Sequence, residues 1–172
     1  MKKSERDLDP AEILGKAYEQ MYEDIASSIH RLKEKSAPVL HELIEESREK
    51  VLELSDITKE DADKLAEYLK RDLHDFAENL SETDKEVKDW LGFETSLVEA
   101  EFLKWMQDVA DPTILELLKL KDKAQHAVYH TGEITGPGTL VCDQCGEKLH
   151  FHKAGKIPPC PKCHATNFHR AG

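Results

Sequence analysis

The sequence predicts a mainly α protein: an N-terminal antiparallel helical bundle, or a set of helical hairpins with coiled-coil character, followed by a small β module stapled by a metal. Three observations lead there. Helix-start signatures recur along residues 1–127, aliphatic residues recur between them at helical spacing, and all four cysteines fall in two pairs within the last 31 residues. The chain of 172 residues is long enough for a core, and it divides into an acidic α-helical domain over 1–127 and a second domain over 128–172.

The first helix starts at Asp9-Pro10-Ala11-Glu12, where an N-cap, a proline at the first helical position and a capping-box acid coincide. Leu14, Tyr18, Met21, Ile25 and Leu32 then follow coiled-coil spacing, with Ser28 at the intervening seam position. A second helix after Ser36-Ala37-Pro38 presents Val39, Leu40, Leu43, Ile44, Val51 and Leu54. A third after Thr58-Lys59-Glu60-Asp61 presents Ala62, Leu65, Leu69, Leu73, Phe76 and Leu80. A fourth, opened by Thr83-Asp84-Lys85-Glu86, carries Val87, Leu91, Val98, Phe102, Trp105 and Val109. Gly92 weakens it by about 1 kcal/mol, and a break is expected near residues 92–95. The fifth runs from Asp111-Pro112 to about Ala127, with Leu115 and Leu118 turned inward. Charged runs such as Glu45, Glu46, Arg48, Glu49 and Lys50 read as a solvated face with some pairing along the helix.

Charge is unevenly distributed. From Val128 onward there are five basic residues (Lys148, Lys153, Lys156, Lys162, Arg170) against three acidic ones (Glu133, Asp143, Glu147), a charge of +2, so residues 1–127 carry −13 against a net charge of −11 for the whole chain. The helical part should therefore repel nucleic acid. The start of the chain lacks the apolar run of a secretory signal, and no stretch approaches the length of a membrane span. A cytoplasmic location is the expectation. In that reducing compartment the cysteines are better explained by a metal than by disulfides.

The pattern Cys142-Asp143-Gln144-Cys145-Gly146, fourteen intervening residues, then Cys160-Pro161-Lys162-Cys163-His164 is the strongest signal in the chain. A two-residue gap lets both sulfurs of a pair reach one ion from a tight turn, and two such knuckles complete a tetrahedron. The turn after each second cysteine calls for left-handed backbone, which Gly146 supplies freely and His164 tolerates at some cost. Extended segments Thr139 to Val141, Lys148 to Phe151 and Asn167 to His169 supply a small antiparallel sheet, giving a zinc ribbon with Cys142, Cys145, Cys160 and Cys163 as ligands. So small a sheet has little core, and one structural zinc ion should supply most of its folding free energy, on the order of 10 kcal/mol. Four thiolates leave no open position for water or substrate, so a hydrolytic metal is not expected. Cys-Pro-Lys-Cys is similar to the rubredoxin knuckle, but the separation is short for that fold, and iron is the minor alternative. Once two zinc charges and four thiolates are counted, the +2 of the bare ribbon is neutralised.

Five of the nine histidines (His130, His150, His152, His164, His169) lie in this region. His150 and His152, with Lys148, Lys153, Lys156, Phe151 and Arg170, form a candidate contact surface for a protein or, at weaker charge density, a nucleic acid. There is no Gly-rich phosphate loop, nucleophile motif or distinct carboxylate pair, and the chain is not expected to be an enzyme.

The run Val128-Tyr129-His130-Thr131-Gly132-Glu133-Ile134-Thr135-Gly136, continuing through Leu140-Val141-Cys142 to the Cys160-Pro161-Lys162-Cys163 knuckle, resembles the YbeL-like family of bacterial zinc-ribbon proteins. Arg48-Glu49-Lys50-Val51, Ile57-Thr58 and Arg71-Asp72-Leu73-His74-Asp75-Phe76-Ala77 extend the likeness into the helices. The resemblance implies a cytoplasmic bacterial protein with N-terminal helices, a C-terminal zinc ribbon and the four cysteines as the family's ligands. It implies no reaction, since these proteins are mostly described as being of unknown function.

Three roles are compatible with these residues. The leading one is a non-enzymatic adaptor or regulator, with a protein partner at the ribbon and homo-oligomerisation through the helices as a further option. The alternatives are nucleic-acid or ribonucleoprotein binding through the ribbon, and metal handling or thiol-redox sensing by the cysteines.

Overall fold

A computed structural model describes residues 9–32, 40–79 and 128–171. Among these, helices α1 (Pro10–Leu32), α2 (Leu40–Leu54) and α3 (Lys59–Asn79) precede strands β1 (Tyr129–His130), β2 (Ile134–Thr135), β3 (Gly138–Cys142), β4 (Lys148–Phe151), β5 (Gly155–Lys156) and β6 (Asn167–Arg170). The expected fourth and fifth helices, with Trp105 and the break near Gly92, lie outside the described residues, as do the Ser36-Ala37-Pro38 start and the boundary residue Ala127.

Two helix starts form by the capping chemistry that their residues encode. The Asp9 carboxylate accepts the Ala11 N–H at 3.0 Å, filling one of the orphan donors of the first turn of α1. At α3 the capping is reciprocal: the Asp61 N–H donates to Thr58 Oγ1 at 3.1 Å, and the Thr58 N–H returns to Asp61 Oδ2 at 3.2 Å. That hydrogen bonding holds the Asp61 carboxyl below its ordinary value.

The described chain is an α+β structure, which corrects the expectation of a mainly α fold with coiled-coil character. Its three helices pack on one another, and α1 and α3 also pack against a six-stranded ribbon. A coiled coil buries one narrow seam and leaves its flanks in water, whereas α1 buries Ala17, Tyr18, Met21, Tyr22 and Ile25, a stripe too wide for a seam. The reason is that α1 is covered on two sides, by α2 and α3 and by β2 and β5. Gly15 marks the second contact: a Cβ there would stand 3.2 Å from the Ala154 carbonyl oxygen. One turn on, Glu19 accepts the Ala154 N–H at 3.2 Å. On α2, Leu43, Ile44 and Val51 are buried as expected, but Leu54 at the helix end is 77% exposed. Arg48, assigned to the solvated face, instead bridges α2 to α3 through Asp63 at 2.8 Å while holding Glu45 at 2.9 Å.

The ribbon holds two antiparallel sheets, one ordered β1-β6-β3-β4 and the other pairing β2 with β5. Register places Leu140 opposite Leu149 on one side and opposite Arg170 on the other. Tyr129, Leu140, Cys142, Ile157, Cys160 and Phe168 form its interior.

Helices and ribbon meet through a buried polar network centred on Asp72 of α3, a residue 2% exposed. Asp72 Oδ2 accepts the Tyr18 hydroxyl of α1 and, at 2.8 Å, the backbone N–H of Gly136. Asp72 Oδ1 faces Arg71 Nε at 3.1 Å and Arg170 Nη2 at 3.6 Å. Arg170 comes from β6, and its Nε reaches Asp75 Oδ2 at 3.1 Å while Nη1 donates to the Pro137 carbonyl at 3.0 Å and Nη2 to Thr135 Oγ1 at 3.0 Å. Arg71 extends the network outward to Glu133 and to the Ile134 carbonyl. Its guanidinium carbon lies 3.9 Å from the centre of the Tyr129 ring, and the Tyr129 hydroxyl donates to Asp75 at 2.7 Å.

Breaking a buried charge network leaves uncompensated charge in low dielectric, so Asp72→Ala should cost about 3–5 kcal/mol of stability in urea denaturation. A cost below about 1 kcal/mol would mean that the network is not holding the two parts together. The tyrosines give a pH prediction. Burial pushes the Tyr18 and Tyr129 hydroxyls well above their ordinary value of 10.0 and raises Tyr22 as well. For a group whose folded pKa is raised, stability is full below the unfolded value and is lost as pH rises towards the folded one. Stability should therefore fall above pH 10, with tyrosinate absorbance rising together with loss of helical circular dichroism. Ionisation of all four tyrosines near pH 10 with the fold intact would contradict this burial.

Candidate metal centre

Each cysteine pair sits in a turn whose backbone wiring repeats in the other pair. In the first knuckle the Gly146 N–H donates to the Cys142 carbonyl at 2.9 Å and the Cys142 N–H to the Glu147 carbonyl at 2.8 Å. In the second, the His164 N–H donates to the Cys160 carbonyl at 2.9 Å and the Cys160 N–H to the Ala165 carbonyl at 2.9 Å. Both turns close through left-handed backbone, at φ 73° for Gly146 and 61° for His164. The glycine takes this conformation at no steric cost, while the histidine carries mild strain.

The first knuckle hangs on the end of β3, and the second precedes β6. Because β3 and β6 pair antiparallel, with Cys142 opposite Phe168, the knuckles are brought to the same end of the sheet. All four sulfurs lie within 4.8 Å of one another. The closest approaches cross between the knuckles, Cys142 to Cys163 and Cys145 to Cys160, each at 3.5 Å. Zinc bound to four sulfurs at about 2.3 Å would space them about 3.8 Å apart, so the donor set fits a tetrahedral ion. Cys142 and Cys160 are buried and the other two half-buried, a crowding that disfavours four ionised thiols without a cation. Against the lowering effect of the Glu147 backbone, desolvation and the neighbouring sulfurs push the Cys145 thiol up to about 12. Against its own desolvation, the backbone of Cys163 and Lys162 draws Cys160 down to about 7.

The residues expected to form a contact surface separate into two groups. Lys148, His150, His152, Lys153 and Lys156 are exposed, and Phe151 is half-buried against the ribbon interior. β4 ends at Phe151, one residue before His152, and His150 Nδ1 lies 2.8 Å from Thr139 Oγ1. Arg170 does not belong to this surface: its side chain is 2% exposed and it serves the interior network. Alternation along β6, exposed then buried, puts Arg170 on the same face as Phe168, a parity visible in the sequence. The partner on α3 was equally legible, since Asp72 follows Leu65 and Leu69 at seam spacing, where an acid must find a buried cation.

The zinc-ribbon-containing domain family matches residues 27–172, a stretch that includes both knuckles, α2, α3 and the whole ribbon. The uncharacterized protein YbeL of Escherichia coli strain K12 is 38% identical over 66 residues, covering 38% of this chain and 41% of the relative. The YbeL proteins of the O6:H1 and O157:H7 strains align with the same identity and extent. The chain thus spans about two fifths of the length of the curated relatives it matches. No solved structure matches it. With the family match running over most of its length, the chain belongs to the YbeL-like zinc-ribbon-containing domain family.

Proposed function

We propose that the protein is a non-enzymatic adaptor or regulator of the cytoplasm, in which one structural zinc ion, held by Cys142, Cys145, Cys160 and Cys163, shapes the ribbon as a contact module. The observation that carries the reading is the closure of the four sulfurs within 4.8 Å. Four thiolates saturate a tetrahedral ion, so the centre can organise the chain but offers substrate no place to bind. Lys148, His150, His152, Lys153 and Lys156 are exposed on the ribbon, and a small sheet held by a metal-bound turn is a suitable contact for a protein partner.

Nucleic-acid binding through the ribbon has less support. Burial of Arg170 removes one of its five cations from the surface, and Lys162 Nζ lies 3.9 Å from Glu147, which offsets another. Too few phosphate contacts remain for strong binding. Redox sensing also has less support, because both knuckles are wired for a bound ion. No helix among the described residues is long and apolar enough to cross a membrane.

Elemental analysis of the native protein should find one zinc per chain, and chelation should abolish the ribbon's β signal in circular dichroism. Iron at that stoichiometry, or β structure that survives complete metal removal, would contradict the structural role. Affinity capture comparing the native chain with a Cys142→Ser, Cys145→Ser variant tests the adaptor role. A reproducible protein partner that is lost with the variant is expected. Equal recovery by both forms, or no partner for either, would count against the ribbon as the contact module.

A further inference from the structure

We propose that metal loading of the ribbon is energetically coupled to closure of the helices, with Arg170 as the positioning residue that carries the coupling. The proposal goes beyond the adaptor reading and rests on one part of it, that the four cysteines hold zinc.

Arg170 is placed by the strands that build the metal centre. It lies opposite Leu140 in the β3–β6 ladder, two rungs from the pair Cys142 and Phe168. The Asp143 N–H, inside the first knuckle, donates to the Asn167 carbonyl at the start of β6 at 3.1 Å. Gathering the knuckles therefore also fixes the course of β6, and the buried guanidinium at its end is delivered to α3. The approach passes over Gly138, where a Cβ would stand 2.0 Å from Arg170 Nη1 and where φ is +141°. Only a glycine leaves room for it.

What Arg170 meets on α3 is a pair of carboxylates, Asp72 buried and Asp75 half-buried. Asp72 and Asp75 lie one helical turn apart, and the Arg170 side chain, 2% exposed, lies within ion-pair distance of both at 3.6 and 3.1 Å. Arg71 is the other cation at Asp72, and it also serves Glu133. If the metal leaves and β3 and β6 separate, Arg170 is withdrawn and two carboxylates must share Arg71 or reach water, which means loosening α3 from the ribbon. Zinc favours the closed arrangement by holding β6. By linkage, the closed helices must favour zinc by the same factor.

Two measurements on the full chain test this. Zinc affinity, read by competition with a chromophoric chelator, should fall on the order of tenfold in Asp72→Asn and in Arg170→Met, although neither side chain touches the metal. Thr58→Ala, which weakens the cap of α3 without touching the network, should leave affinity within about twofold. In the wild type, where no variant can misfold, chelation should reduce the hydrogen-exchange protection of the Leu65 to Leu73 amides by at least about tenfold. Unchanged affinity in both network variants, or α3 protection that persists in the metal-free protein, would overturn the coupling. If the wild type binds no zinc at all, the metal reading itself fails, an outcome distinct from zinc bound without coupling.

Discussion

The structure depends on how a buried arginine is neutralised. Arg170 enters the interior from the last strand of the ribbon and finds Asp72 and Asp75 on α3, with Thr135, the Pro137 carbonyl and Tyr129 taking its remaining donors and its planar face. An isolated guanidinium in that position would be strongly disfavoured, and so would either carboxylate. Only the assembled set is tolerable, and it exists only when helices and ribbon are docked in one register. The arrangement therefore selects a single mutual placement more effectively than apolar packing of the same area would. Tyr18 adds α1 to the set through Asp72, so among the described helices α1 and α3 both reach the network directly.

The metal centre and the polar network divide the task of holding the ribbon. At one end of the β3–β6 ladder the cysteines gather two turns whose own interior is limited to a few side chains, among them Leu140, Ile157 and Phe168. At the other end Arg170 anchors the same pair of strands to the helices. Between them, Tyr129 packs in the ribbon interior while its hydroxyl donates to Asp75 and its ring receives Arg71. A small sheet fixed at both ends can present its exposed residues in a constant geometry.

Much of this was legible in the sequence, where local rules govern. The caps at Asp9 and Thr58, the clustering of the four cysteines, the left-handed turns at Gly146 and His164 and the three longer strands each follow from local motifs in the chain. The docking of helices on the ribbon was not, because it pairs residues nearly a hundred positions apart. Tyr18 and Met21 at coiled-coil spacing suggested a narrow seam, and the width of the buried stripe emerged only once β2 and β5 were seen to cover the flank of α1. Arg170 was read by its charge as surface. Strand parity argues for the opposite face, and the deciding information, two acids one turn apart on α3, sits in Arg71-Asp72-Leu73-His74-Asp75.

Asp72 and Arg170, within ion-pair distance at 3.6 Å, act as one unit across the helices and the ribbon. A double-mutant cycle on stability, with Asp72→Ala, Arg170→Met and the pair together, tests it most directly. The double variant should be more stable than the sum of the single losses predicts, by on the order of 2 kcal/mol, because each single change strands a buried charge that the pair removes. Losses that add to within about 0.5 kcal/mol would show the two residues to be energetically independent and would contradict the account.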